Sequence, residues 1–176
     1  MPEVPTKVNP RLAEEYFRSD YEIVKQNGVS NACGWELSPS FESLLLNVNM
    51  WSFDEEGIRV DDYHLKLDMS YYKTWPPGVT FVNPETQTFE HPKDLRWFPK
   101  LASSPQGTQF GFNPSTQLTD GSTRQLVCNS MVLEYYLSNH NPAPHERWDS
   151  SRNNFGTTLS TIQLVLRKPY YGGRWA

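Results

Sequence analysis

The sequence predicts an α+β domain, and three patterns carry that prediction. A helical segment opens behind Asn9-Pro10, residues 63–69 alternate apolar and polar with a strict period of two, and residues 155–166 form one helical stripe before Pro169. A chain of 176 residues suits a single domain, 1–176, large enough to bury a core without disulfides or metals. Aromatic residues make up 14% of it, and their large buried areas compensate for few aliphatics.

The elements follow in order. Residues 1–9 read as a loose lead-in, and residues 10–26 as a helix. Asn9 can cap it, and Pro10 suits the first helical position, where an N–H would lack a partner anyway. Leu12, Tyr16 and Ile23 fall on one face, leaving Asp20 and Lys25 to solvent, and Asn27-Gly28 ends the helix. Residues 33–37 read as a short strand stopped by Ser38-Pro39. In residues 44–51, Leu44, Leu46, Val48 and Met50 alternate with Leu45, Asn47, Asn49 and Trp51. A turn at Asp54-Glu55-Glu56-Gly57 leads to the third strand. There Tyr63, Leu65, Leu67 and Met69 face one way, and Asp62, His64, Lys66 and Asp68 the other, as in a half-buried antiparallel strand. After Trp75-Pro76-Pro77, residues 79–82 complete a four-stranded antiparallel meander.

Residues 83–127 read as a long irregular segment, rich in Pro, Gly, Ser, Thr and Asn. Loops of that length in compact domains are commonly functional. Gln125-Leu126-Val127-Cys128 emerges from its end. Residues 131–137 are apolar enough to pack, and residues 139–151 return to loop composition. In the last helix Phe155, Leu159, Ile162 and Leu166 share one face. Asn153 or Asn154 can cap it, Lys168 lies at its end, and Pro169 stops it.

Composition excludes several function classes. The net charge is −4 with both signs interspersed, so no basic stripe points to nucleic acid. Apolar runs of four or five residues are too short to cross a bilayer, and Met1 to Pro10 lacks the pattern of a signal peptide, which points to no membrane and a cytoplasmic location. Cys33 and Cys128 are too few for a secreted disulfide framework and read as free thiols.

Several segments together resemble the ubiquitin-conjugating enzyme family. Tyr72-Lys73-Thr74-Trp75-Pro76-Pro77-Gly78-Val79-Thr80-Phe81 is similar to that family's proline-rich turn and the Pro-Pro-x-Val-x-Phe strand after it. Arg124-Gln125-Leu126-Val127-Cys128 resembles the segment bearing the catalytic cysteine. Trp148 follows twenty residues later, and residues 158–169, Thr158-Leu159 through Ile162-Gln163, Leu166 and Pro169, match the family's closing helix. The resemblance spans roughly residues 10–169. The family's His-Pro-Asn tripeptide is absent before the cysteine, where Asp120-Gly121 stands, and Asn113-Pro114 and His91-Pro92-Lys93 echo it at other spacings. The interval from Phe81 to Cys128 is longer than usual, and the two C-terminal helices of most eukaryotic members are missing. These departures resemble divergent bacterial members found in antiphage defence systems.

The resemblance implies a carrier that takes a ubiquitin-like protein from an adenylating activating enzyme as a Cys128 thioester and passes it to a lysine of a target. It implies no cofactor or metal on this chain, and a partner surface on the first helix, near Arg11 and Arg18. A thioester carrier needs a sulfur that becomes thiolate at attack and that two large partners can reach, which favours Cys128 on a loop over Cys33 at the start of a strand. Asn129, Asn113 and Asn139 are the candidates for an amide donor to the oxyanion. His140 is the candidate base for the thiol or an incoming amine, His145 a weaker one, and Asp149 is the candidate to orient the lysine or to cap the last helix. Trp148 is expected to wall the site. Three alternatives use the same residues: a cysteine hydrolase built on Cys128, His140 and Asn139, a zinc site from Cys128, His140 and His145, and a non-catalytic module that only binds ubiquitin. Gly172-Gly173 resembles the tail of a ubiquitin-like protein, but its place after the last helix reads as a turn.

Overall fold

The computed structural model describes residues 3–175. It is α+β, with four helices and a four-stranded antiparallel sheet. Helix α1 (Pro10–Val24) starts where Asn9 Oδ1 accepts from the N–H groups of Arg11 and Leu12, at 3.0 and 3.4 Å. Its buried face is Ala13, Phe17, Asp20 and Val24, not the Leu12–Tyr16–Ile23 stripe, which faces outward. The correction turns on Asp20, which is only 4% exposed. Its carboxylate accepts from the Tyr72 hydroxyl at 2.5 Å and pairs with Lys73 Nζ at 3.1 Å, and a carboxylate so partnered can lie on a core face. The same Tyr72 oxygen accepts from the N–H of Phe155, so one phenol ties α1 to the start of the last helix.

Asn27-Gly28 ends α1, yet it also begins a second helix, α2 (Gly28–Cys33), capped by Asn27 and closed by Gly34 at φ +68°. Cys33 is therefore helical, and the first strand, β1 (Glu36–Ser40), starts three residues later than expected and runs through Pro39. Proline is tolerated there because β1 is an edge strand. β2 (Leu45–Phe53), β3 (Arg59–Asp68) and β4 (Gly78–Val82) complete the meander in the order β1-β2-β3-β4, with Val48 opposite Leu65 and Leu65 opposite Phe81. Asp54 Oδ1 closes the β2–β3 turn by accepting from Glu56 and Ile58 N–H.

One face of the sheet carries Leu46, Val48, Met50, Tyr63, Leu65 and Leu67, all buried with Phe17 of α1 against the last helix. The opposite face, with Asn47, Asn49, His64 and Lys66, is half-buried and polar, as the period-two pattern predicts.

The segment 83–127 is not irregular throughout. It holds a 3₁₀ turn (Leu95–Trp97), a short strand β5 (Pro99–Leu101), and a hairpin of β6 (Phe112–Gln117) and β7 (Thr123–Val127) around Asp120-Gly121. β6 reads Phe-Asn-Pro-Ser-Thr-Gln, too polar to announce a strand, and its register with β7 shifts between Asn113 and Thr116. A short helix α3 (Leu133–Leu137) follows, then α4 (Phe155–Val165), whose cap is Asn154 in a capping box with Thr157. The chain closes with β8 (Tyr171–Arg174) on β5, so Gly172-Gly173 is strand and not a turn. At Gly172 a Cβ would stand 2.7 Å from the backbone nitrogen of Ala102, which explains glycine there. Among the described residues no helix is long and apolar enough to cross a membrane.

β4 is the far edge of the sheet, and side chains close it. Gln125 of β7 accepts from the Phe81 N–H through Oε1 and donates to the Phe81 carbonyl through Nε2, each at 2.8 Å. Glu134 of α3 accepts from the Val79 N–H at 3.1 Å. Gln125→Ala will strand both backbone groups of Phe81 and lower unfolding free energy by about 2–4 kcal/mol in urea titrations, whereas exposed Gln106→Ala will stay within about 0.5 kcal/mol. Glu134 is fully buried, and that desolvation pushes its pKa up to about 7, above its ordinary 4.5. The folded state therefore holds a proton that the unfolded chain releases between those values, and stability falls as pH rises across that window. Relative to Glu134→Gln, the wild type will lose on the order of 3 kcal/mol between pH 4.5 and 7, read by denaturation at each pH.

Candidate active site

Cys128 directly follows β7, and its N–H donates to the Gly111 carbonyl at 2.7 Å, one step beyond the hairpin ladder. The chain then reverses. Asn129 N–H bonds to Val127 O, and Val132 N–H bonds to Asn129 O at 3.0 Å, which leads into α3. The sulfur is not on an open loop. Cys128 is 8% exposed and packs with Leu126 and Tyr135.

Two side-chain polar groups meet Sγ: His140 Nε2 at 3.8 Å and Gln109 Nε2 at 3.7 Å. Proton counting gives these contacts a direction. Ser138 Oγ lies 2.9 Å from the Tyr135 carbonyl, which can only accept, so the hydroxyl proton goes there. With the hydroxyl proton there, Ser138 Oγ accepts from His140 Nδ1, 2.8 Å away. In that tautomer the Nε2 lone pair faces the thiol, which donates to it. With its one proton committed, Sγ accepts from the Gln109 amide, and Gln109 Oε1 accepts from the Tyr135 hydroxyl at 3.0 Å. A single directed ring of hydrogen bonds thus begins and ends on Tyr135. The Tyr135 and His140 rings also stack, with centroids 4.6 Å apart. Asn139, at φ +63°, turns the chain so that His140 comes back over the sulfur.

Burial raises the Cys128 thiol above its ordinary value. The resting group is a thiol beside an imidazole, not a preformed thiolate.

His140 forms part of a cleft of about 710 Å³ walled by Trp75, Tyr136, Arg147 and Trp148. The Trp148 indole is fixed by donating to the Lys73 carbonyl at 3.0 Å, and the Trp148 backbone N–H donates to the Tyr136 hydroxyl. His140 thus lines the cleft and also meets the sulfur, while Cys128 itself is not part of the cleft wall.

The other expected residues divide. Asn129 lies beside the site, but both ends of its amide serve the backbone. Oδ1 accepts from Met131 N–H, and Nδ2 donates to the Gln109 carbonyl, each at 2.9 Å. Asp149 is not at the sulfur and does not cap α4. Its carboxylate accepts from Ser151 and Arg152 and braces the turn before Asn153, and the Ser151 hydrogen bonds hold it below the usual carboxylate range. Asn113 is on β6, paired with Leu126. His145 is exposed, and among the described residues no group of three or more His, Cys, Asp or Glu side chains is placed to hold a metal. Cys33 is buried at the end of α2, where Arg167 donates to its sulfur at 3.3 Å. Sequence reasoning missed Gln109, Tyr135 and Ser138. Gln109 stands in an aperiodic stretch nineteen residues before the cysteine, and Tyr135 reads as core.

Scans against protein-family models and against curated proteins find no match to this chain.

Alkylation of Cys128 by iodoacetamide, followed by peptide mass spectrometry, will titrate with a midpoint above that of the same cysteine in the urea-unfolded protein. A midpoint below it means a stabilised thiolate.

Proposed function

We propose that the protein is an acyl carrier of the ubiquitin-conjugating type, in which Cys128 accepts the C-terminal acyl group of a ubiquitin-like protein from an activating enzyme and releases it to a lysine. The observation that carries the reading is the sulfur held between a proton-accepting imidazole and an amide donor, immediately after a hairpin strand. Thioester exchange needs those parts: a base to free the sulfur and a donor for the negative oxygen of the tetrahedral intermediate.

The order of helix, four-stranded meander, cysteine segment and closing helix supports the family resemblance on which the carrier reading rests. So does the outward stripe of α1. Leu12 and Tyr16 are 42% exposed and Ile23 is 57% exposed, spaced to form one apolar ridge on which an activator can dock. Of the two arginines near this ridge, Arg18 pairs with Glu14 at 2.7 Å, and Arg11 is exposed. A place among the carriers of bacterial defence systems extends the same reading.

A cysteine hydrolase is the second reading, and the Ser138–His140–Cys128 relay favours it. A hydrolase needs the same oriented base, which then activates water against the acyl-enzyme. Both readings need an acyl donor to reach a sulfur that is only 8% exposed, a stricter demand for a carrier that serves two large partners.

Incubation with ubiquitin bearing a C-terminal alkyl thioester separates the two. A carrier accumulates a one-to-one adduct that thiols reverse. That adduct will be absent in Cys128→Ala and retained in Cys33→Ala. Steady release of ubiquitin acid without an adduct selects the hydrolase, and no reaction at Cys128 at all removes both readings.

A further inference from the structure

The geometry points to Gln109 as the oxyanion donor of this site, with Tyr135 as the positioning residue that aims it. The assignment deepens the proposed function, because it rests on Cys128 receiving an acyl group.

Asn129, the amide nearest in sequence, makes no hydrogen bond to Sγ and is held by the backbone. One Nδ2 proton goes to the Gln109 carbonyl, and Oδ1 accepts from Met131 N–H. The effect of Asn129 is instead to hold the Gln109 backbone, which brings a residue from an exposed loop to the sulfur. Gln109 is pinned at three points: its carbonyl on Asn129, its Oε1 on the Tyr135 hydroxyl and its Nε2 on Sγ. The amide cannot be reversed without cost. Reversal would place Oε1 on a sulfur whose one proton already goes to His140. An exposed glutamine ordinarily keeps its rotamer freedom, and three fixed contacts are the arrangement of a preorganised donor.

The step balances as follows. The thiol proton passes to His140 Nε2, and the sulfur lone pair forms a C–S bond to the acyl carbon. The carbonyl π pair moves onto oxygen, which develops its charge two bonds from the sulfur that the Gln109 N–H already meets. The N–H that met Sγ then follows the charge to that oxygen. On collapse the pair returns, the bond to the leaving group breaks, and the leaving group takes the proton from the His140 imidazolium.

The test compares two reactions of Cys128 in the full chain. Acylation by 4-nitrophenyl acetate passes through an oxyanion, and alkylation by iodoacetamide does not. Both are followed by mass spectrometry of the Cys128 peptide. Gln109→Ala and Gln109→Glu will lower the ratio of acylation to alkylation rates on the order of 100-fold. Tyr135→Phe, which keeps the ring on His140 but frees the amide, will lower it by a smaller factor. A ratio unchanged in Gln109→Ala, acylation and alkylation falling together, or a wild-type Cys128 that the ester does not acylate, each overturns the assignment. Failure of the carrier reading is seen separately. An ester reaction that depends on Gln109, in a protein that takes no acyl group from the ubiquitin thioester, keeps the donor and removes the carrier.

Discussion

The edge of one strand governs the rest of this molecule. β4 is the last strand of the meander, and its outward N–H and C=O groups need partners that a fifth strand would normally supply. Here two side chains meet them. Gln125 pairs with both backbone groups of Phe81 as a strand would, and Glu134 takes the N–H of Val79 two residues away. Gln125 lies three residues before Cys128, and Glu134 one residue before Tyr135. Cys128 and Tyr135 are thus hung from the same edge, on two elements that also pack together through Leu126 and Tyr135.

That arrangement explains how a reactive geometry arises in a stretch with little regular structure. The hairpin is irregular, its register shifts at Asn113–Thr116, and α3 is barely more than one turn long. Neither element is stable alone. Anchored on the sheet, they hold a ring of hydrogen bonds that runs from Tyr135 through Ser138, His140, Cys128 and Gln109 back to Tyr135. Because burial raises the Cys128 thiol above its ordinary value, the sulfur beside His140 is held as a thiol and not as a standing thiolate. A shielded, protonated sulfur is also protected from oxidation.

Several features were legible from residue order. Strict alternation marked Tyr63, Leu65 and Leu67 as inward, since any shift of register by one residue would turn them to water. Asn9-Pro10 and the stripe from Phe155 to Leu166 marked both long helices. Cys128 and His140 were legible by residue type, because few other side chains can do thiol chemistry. Other features were not. Asp20 reads as solvent-facing because its justification, Tyr72, lies fifty-two residues away. α2 and β8 were missed because a six-residue helix and a Gly-Gly strand have no usable periodicity. Asp149 has the right chemistry, but local hydrogen bonds to Ser151 and Arg152 take it for a turn.

The sequence by itself determined the two-layer α+β plan, the capping of its long helices and the identity of the sulfur, because periodicity, cap chemistry and residue type are local properties. Tertiary structure alone decided which face of α1 is buried, that β4 is closed by side chains, and which amide faces the thiol. The reason is physical. Each of these depends on hydrogen bonds between groups far apart in the chain, and their direction is fixed only when every proton in the closed ring has been given its acceptor.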